Sequence, residues 1–207
     1  MRLRRDPLPL RFGTRGLARR WAGRVYQTVM PENGPARIAC DAMCGGLARW
    51  LRALGHDAFY REGIDDAELV ELARREERLV ISSDGKLFER KLIASGQVAG
   101  LMLPRGLRLL EQVEYVMRRL RLPVLQARCT QCNGRLVPAT REEVSADVPA
   151  RSLVWAREFY RCSGCRQVFW DGTHWRRIQA VRRRFAQLHE SDAAAPPPKG
   201  EEPERDE

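Results

Sequence analysis

Arg78-Leu79-Val80-Ile81-Ser82-Ser83-Asp84 is the stretch from which the fold can be inferred. Its short apolar run, bounded by polar residues, predicts a buried strand over residues 79–82. Asp84 follows the carboxyl end of that strand. Ligands of open α/β sheets bind outside the carboxyl ends of the strands, so we expect Asp84 to lie at a binding edge.

Strand-like and helix-like segments alternate on both sides of this stretch. Three more strands are predicted at residues 37–41, 58–60 and 98–103. The glycines and apolar spacing predict helices that start at Gly45 and Asp65, and others over residues 85–95 and 107–120. This alternation predicts an α/β domain at residues 36–122, with a parallel sheet flanked by helices.

The remaining chain divides into three further segments. Residues 123–185 hold two Cys-x-x-Cys pairs among strand-like segments, and a short basic helix is predicted over residues 178–188. Residues 1–35 are rich in arginine and lack a clear period, and residues 186–207 are acidic and rich in alanine and proline. Both compositions favour disorder.

The charge of the chain favours nucleic acid as a partner. The net charge is +10, and residues 123–185 alone hold 12 arginines against five acids. Guanidinium groups bind phosphate through two parallel hydrogen bonds. The alternative explanation is that the arginine content reflects a GC-rich genome. No run of 18 apolar residues and no signal-peptide core is present, so we expect no membrane span and a cytoplasmic location.

Three aspartates occupy positions that a parallel sheet can bring to one edge. Asp41 ends the first strand, Asp66 starts the second helix and Asp84 ends the third strand. Clustered carboxylates resist ionisation unless a cation neutralises them. Their oxygen ligands suit Mg²⁺ or Mn²⁺, which can activate water and offset charge on a phosphodiester. The alternative is structural, with Asp65 and Asp84 as helix caps and Asp41 in a turn.

The cysteine pattern predicts a zinc site. The pairs Cys129/Cys132 and Cys162/Cys165 can each supply two thiolates to one tetrahedral Zn²⁺. Four thiolates leave no open position, so this zinc would be structural. Two disulfides are the alternative, which a reducing cytoplasm disfavours.

Aromatic residues and arginines alternate between and after the cysteine pairs. Such an arrangement can stack on unpaired bases and hold phosphates. The alternative is that the aromatic rings form the core of a small zinc ribbon within residues 123–185. We expect Phe159 and Phe169 in that core, and leave Trp155, Trp170 and Trp175 open.

Several blocks resemble the Mut-7 C-terminal ribonuclease domain family. They are Asp-Ala-Met-Cys-Gly-Gly-Leu-Ala-Arg-Trp-Leu-Arg-Ala-Leu-Gly at 41–55, Asp-Asp-Ala-Glu-Leu at 65–69, Ser-Asp-Gly-Lys-Leu at 83–87 and the two cysteine pairs with Trp-Asp-Gly-Thr-His-Trp at 170–175. The resemblance covers about residues 36–180. It implies a PIN-like fold that cuts RNA, with Asp41, Asp66 and Asp84 as the catalytic, Mg²⁺- or Mn²⁺-binding acids.

Two departures and three basic residues complete the sequence picture. Pro104-Arg105-Gly106 stand where nucleases of this type often have a fourth acid, and Glu111 is the nearest one. Ser82-Ser83 replace a more usual Thr-Arg, and Ser83 could still hydrogen-bond a carboxylate. Basic residues near the acids, which could bind substrate phosphate, are Arg49, Arg52 and Lys86.

Two functional hypotheses follow from the sequence. The first is a metal-dependent ribonuclease whose structural zinc ribbon aids RNA binding. The alternative is a non-catalytic, zinc-containing RNA-binding protein whose acids serve the fold.

Overall fold

A computed structural model describes residues 34–194, and its first half is built on a four-stranded parallel sheet. The strands are β1 (Arg37–Cys40), β2 (Asp57–Phe59), β3 (Leu79–Ser82) and β4 (Gly100–Met102), in the order β2-β1-β3-β4. β3 therefore pairs with both β1 and β4, and all four of its residues are buried. The predicted α/β class with a parallel sheet is confirmed.

Helices connect these strands. After a 3₁₀ turn (Ala42–Cys44) they are α1 (Gly45–Ala53), α2 (Asp66–Arg75), α3 (Gly85–Phe88), α4 (Lys91–Ala94) and α5 (Leu109–Arg119). The single helix predicted over residues 85–95 is wrong. Arg90 adopts an extended conformation, with φ −61° and ψ 136°, and this breaks the segment into two short helices.

The strand residues alternate between two apolar layers. Ile38 and Ile81 point to one side, where α1 and α5 cover them, whereas Ala39 and Val80 point to the other side, where α2 packs. This follows from the two-residue period of a strand. Because both faces are covered, the polar groups that follow the strands are left at the sheet's edge.

A three-stranded antiparallel sheet forms the ribbon. Its elements are β5 (Leu136–Ala139), α6 (Arg141–Val144), α7 (Ala150–Trp155), β6 (Phe159–Cys162) and β7 (Val168–Trp170), with strand order β5-β6-β7. Phe159 is buried in a small core with Val144 and Val168, as predicted. Phe169 is half-buried against a second cluster that contains Cys129 and Cys162.

The last helix, α8 (Thr173–Ala194), is longer than predicted and extends past residue 186. Its Phe185 lies in the same apolar layer as α1 and α5, and Arg182 donates hydrogen bonds to the carbonyls of Ala53 and Leu125. The predicted disorder is therefore wrong for residues 186–194, because the helix gains this contact with the first sheet's layer. The predictions for residues 1–33 and 195–207 concern residues outside those described.

None of the helices within residues 34–194 combines the length and the apolar character that crossing a membrane requires.

Candidate functional site

Asp41 and Asp84 are linked through the hydroxyl of Ser82. The pairing of Cys40 with Ile81 places Asp41 beside Ser82, and the Asp41 N–H donates to the Ile81 carbonyl at 3.0 Å. Ser82 Oγ donates to Asp41 Oδ2 and accepts the Asp84 N–H at 2.9 Å. Ser82 is fully buried. The sequence pattern pointed to Ser83 instead; the signal for Ser82 was its register, one residue beyond Ile81.

The capping alternative is correct for Asp65 and partly correct for Asp84. Asp65 is exposed, and its Oδ1 accepts the Ala67 N–H at 2.7 Å at the start of α2. Asp84 Oδ1 accepts the Lys86 N–H at 3.0 Å at the start of α3. Within residues 34–194, Asp84 Oδ2 accepts no hydrogen bond, so a cap and a cation ligand can coexist in this residue.

Asp66 lies in the first turn of α2 and pairs with an arginine side chain of the same chain. Its Oδ2 is 3.5 Å from the Arg90 guanidinium, and its side chain is 32% exposed. Among residues 34–194, the aspartates do not form a group of converging ligand atoms; only the four cysteines do. The catalytic and metal-binding roles of Asp41, Asp66 and Asp84 therefore stay predictions.

A loop and the start of α5 occupy the position at which nucleases of this type often have a fourth acid. Glu111 lies in the first turn of α5, where its Oε2 accepts the Arg108 N–H at 2.8 Å. This hydrogen bond satisfies a backbone donor that the helix itself leaves unpaired. Glu111 therefore has a structural role at this helix end.

The three basic candidates differ sharply in exposure. Arg49 and Lys86 have exposed side chains, and both stay candidates for substrate contact. Arg52 is only 4% exposed, and its guanidinium donates to the carbonyls of Ala58 (2.8 Å), Thr130 (2.9 Å) and Gln131 (2.9 Å). The prediction that Arg52 binds substrate is therefore wrong. Its guanidinium donates to main-chain carbonyls of the first domain and of the loop that holds the first cysteine pair.

A second, partly buried contact holds the same loop of the first cysteine pair. Asp57 accepts a hydrogen bond from Asn133 at 2.7 Å and pairs with Arg78 at 2.7 Å. Burial works against ionisation of Asp57, but the hydrogen bond from Arg78 holds the pKa of this carboxyl below its ordinary value. Sequence patterns did not indicate Asp57, because its partner Asn133 lies 76 residues away.

The four predicted zinc ligands lie together. Their sulfur atoms are all within 4.8 Å of one another, with Cys132 and Cys162 Sγ at 3.3 Å and Cys129 and Cys165 Sγ at 3.6 Å. A tetrahedral zinc with bonds of about 2.3 Å spaces its sulfurs by about 3.8 Å. All four thiols are unpaired, so the disulfide alternative finds no support here. The donor set therefore fits a metal ion such as zinc.

The surroundings of the four thiols are unequal. Burial raises the pKa of Cys129 to about 12. At Cys132 burial also opposes ionisation, but hydrogen bonds from the Gly134 N–H and from Cys162 outweigh it and lower the pKa to about 6. A thiolate is the form that binds metal, so these hydrogen bonds favour the ligand form of Cys132.

Comparison with known proteins agrees with this architecture. The family model described as "Mut7-C RNAse domain" matches residues 36–182, which include both the acidic edge and the cysteine cluster. The protein named "Exonuclease mut-7 homolog" from Homo sapiens is 26% identical over 219 aligned residues, covering 69% of this chain. The chain spans about a quarter of the length of that relative. No solved structure matches the chain.

Proposed function

Because the chain belongs to the Mut7-C RNAse domain family, we propose that it is a ribonuclease that depends on Mg²⁺ or Mn²⁺ at its acidic edge. The observation that carries this proposal is the buried Ser82 hydroxyl, which links Asp41 to the backbone of Asp84. The buried hydroxyl donates to the Asp41 carboxylate and accepts the Asp84 N–H, so it fixes the direction of the Asp41 carboxylate. Such fixation of ligands is typical of metal sites.

Asp41, Asp66 and Asp84 would hold the ion through carboxylate oxygens, the ligands that hard divalent cations prefer. When bound, such an ion acts as a Lewis acid toward water and the phosphodiester. Ser82 and the Ala42 N–H orient the carboxylate of Asp41. Asp66 would exchange its 3.5 Å contact with Arg90 for the ion, which frees that guanidinium for a phosphate.

The substrate would be held by exposed cations around this edge and on the ribbon. Arg49 and Lys86 are the candidates nearest to the acids in sequence, and both are exposed. The ribbon adds arginines that suit the sugar–phosphate backbone. RNA is the proposed substrate because the family description names a ribonuclease domain.

The cysteine cluster would hold a structural zinc. Four thiolates saturate a tetrahedral ion and leave no position for substrate. The ion would fix the loop that Arg52 and Asp57 bind, and so would support the ribbon as an RNA-binding surface. A cytoplasmic location remains a prediction, which suits four reduced thiols.

The test is cleavage of a labelled RNA that contains single-stranded and hairpin regions. Zinc-loaded protein is incubated with Mg²⁺, with Mn²⁺ or without added divalent ion, and Asp84→Asn is assayed in parallel. We expect cleavage that requires the ion and is lost in Asp84→Asn, while zinc content and thermal unfolding are unchanged.

Cleavage by Asp84→Asn at the wild-type rate would refute the assignment of the acidic edge. Salt-sensitive RNA binding without cleavage under any ion would support the alternative, a non-catalytic RNA-binding protein.

A further inference from the structure

Trp155 is an aromatic residue that remains partly open to solvent. It ends α7 with 41% of its surface exposed, and it belongs to none of the apolar clusters among residues 34–194. Its neighbour Val154 is 80% exposed. The other ribbon tryptophans have structural contacts: Trp170 packs against the ribbon core and Trp175 stacks on Tyr160.

Gly172 brings the indoles of Trp155 and Trp170 to one place. A Cβ atom added at Gly172 would lie 3.2 Å from Trp170 Nε1 and 3.5 Å from Trp155 Cη2. The two rings therefore lie against the same glycine, which has no side chain to separate them. Trp170 packs against the ribbon core, while Trp155 beside the same glycine stays partly open to solvent.

Two arginines flank this aromatic pair. Arg151 precedes Trp155 by four residues on α7, so the two side chains lie on the same helix face, and both are exposed. Arg157 is also exposed and follows two residues later. Neither guanidinium has an ion-pair partner among residues 34–194. The nearby acid Asp171 is occupied as an acceptor for the backbone N–H groups of Arg157 and Glu158.

We infer that Trp155, which lies against Gly172, is a stacking site for an unpaired base of an RNA strand, and that Arg151 and Arg157 bind the adjoining phosphates. An exposed aromatic ring beside two exposed guanidinium groups matches the two components of single-stranded nucleic acid, whose bases offer flat faces and whose backbone is anionic. A protein partner that bound the apolar patch would use Val154 as much as Trp155. This inference rests on the proposed function for the identity of the ligand.

The test measures binding in the absence of cleavage. Full-length, zinc-loaded Asp84→Asn protein is titrated, without added Mg²⁺ or Mn²⁺, into a fluorescein-labelled 12-nucleotide RNA, single-stranded or annealed to its complement. Fluorescence anisotropy gives the dissociation constants. Adding Trp155→Ala should weaken single-strand binding about tenfold and leave duplex binding unchanged. Trp155→Phe should retain most of the affinity, because it keeps a π-face.

Two controls separate stacking from charge and from general apolar contact. Val154→Ala removes apolar surface from the same exposed helix end and should leave the affinity unchanged. Arg151→Gln should reduce the slope of log affinity against log salt by about one, which Trp155→Ala should not do. Zinc content verifies that each variant is folded.

Unchanged single-strand affinity in a zinc-loaded Trp155→Ala protein would overturn the inference. An equal loss in Val154→Ala would overturn it as well, and would indicate general apolar contact with the RNA in place of base stacking. If the wild-type protein cleaves RNA but Trp155→Ala leaves single-strand binding of the Asp84→Asn protein unchanged, only this inference fails. If it binds no RNA at all, the proposed function fails with it.

Discussion

The cysteine cluster and the acidic edge differ in how far the folded chain alone completes them. The four sulfurs already lie within 4.8 Å of one another, and hydrogen bonds to Arg52 and Asp57 hold the loop of the first pair. At the acidic edge each carboxylate has its own local partner: Ser82 for Asp41, the Lys86 N–H for Asp84 and Arg90 for Asp66.

Charge explains this difference. The buried Cys129 stays a neutral thiol near pH 7, and hydrogen bonds from the Gly134 N–H and from Cys162 stabilise a thiolate at Cys132, so the cysteine turns can preassemble a site before a metal arrives. Carboxylates are charged at neutral pH and repel each other, so they converge only when a cation offsets their charge. A preassembled soft site and an acidic edge that needs its ion are therefore expected to respond differently to mutation.

Removing one sulfur should produce the largest effect. Cys162→Ala leaves three ligands, and structural zinc contributes on the order of 10 kcal/mol to the folding of small zinc domains. We expect bound zinc to fall from one per chain to nearly none, and the ribbon to become protease-sensitive. Elemental analysis and limited proteolysis measure both. Cys44→Ala, a buried cysteine outside the cluster, should keep its zinc; equal zinc in the two variants would contradict the site.

The buried arginine should matter more for stability than its exposed neighbour. Arg52→Met leaves three carbonyls without their charged donor, and we expect unfolding free energy to fall by about 3 kcal/mol. Arg49→Met, one turn earlier on α1, should leave stability unchanged and weaken RNA binding. Chemical denaturation of both proteins checks this contrast. Equal stability losses would show that Arg52 does not join the two regions.

His56 links the start of the first domain to the segment that leads into the ribbon, and it should give a pH-dependent effect. It is fully buried, accepts the Ala36 N–H at 3.2 Å and contacts the Pro123 carbonyl at 3.0 Å. Burial lowers its pKa from 6.5 to about 4. The unfolded chain therefore takes up a proton at a higher pH than the folded chain does. The contribution of neutral His56 to the free energy of unfolding is complete above pH 6.5. It should fall by up to about 3 kcal/mol as the pH drops to 4.

Comparison with His56→Gln isolates this contribution from the carboxylates that titrate in the same range. The stability of the wild type should decline more steeply than that of the variant between pH 6.5 and 4, as measured by urea denaturation. Parallel pH profiles would mean that His56 is not held neutral in the folded protein.

The serine link should have a moderate effect on the acidic edge alone. Ser82→Ala removes the hydrogen bond that orients Asp41, and loss of such a supporting contact typically reduces metal affinity or activity about 10- to 100-fold. Ser83→Ala should change either quantity little. Cleavage rates at several Mn²⁺ concentrations distinguish the two variants. A larger loss of cleavage in Ser83→Ala than in Ser82→Ala would show that Ser83, and not Ser82, supports the acidic edge.

Local patterns predicted the elements well because periodicity and spacing are properties of neighbouring residues. The apolar run of β3, the caps at Asp65 and Asp84 and the cysteine spacing are all local signals. Arg52 was misassigned because its acceptor Thr130 lies 78 residues away, and helix periodicity does not show which elements meet across the fold. For the same reason the sequence did not predict the role of Asp57 or the packing of α8 against the apolar layer formed with α1 and α5.

The most direct test of the acidic edge is the binding of Mn²⁺ to zinc-loaded protein, followed by the EPR signal of the free ion. The wild type should show saturable binding that Asp84→Asn loses and Asp65→Asn keeps, because Asp65 is an exposed cap whose function asparagine preserves. Zinc content should be the same in all three proteins. Saturable Mn²⁺ binding that survives in Asp84→Asn would show that the ion is held elsewhere and would contradict the proposed active edge.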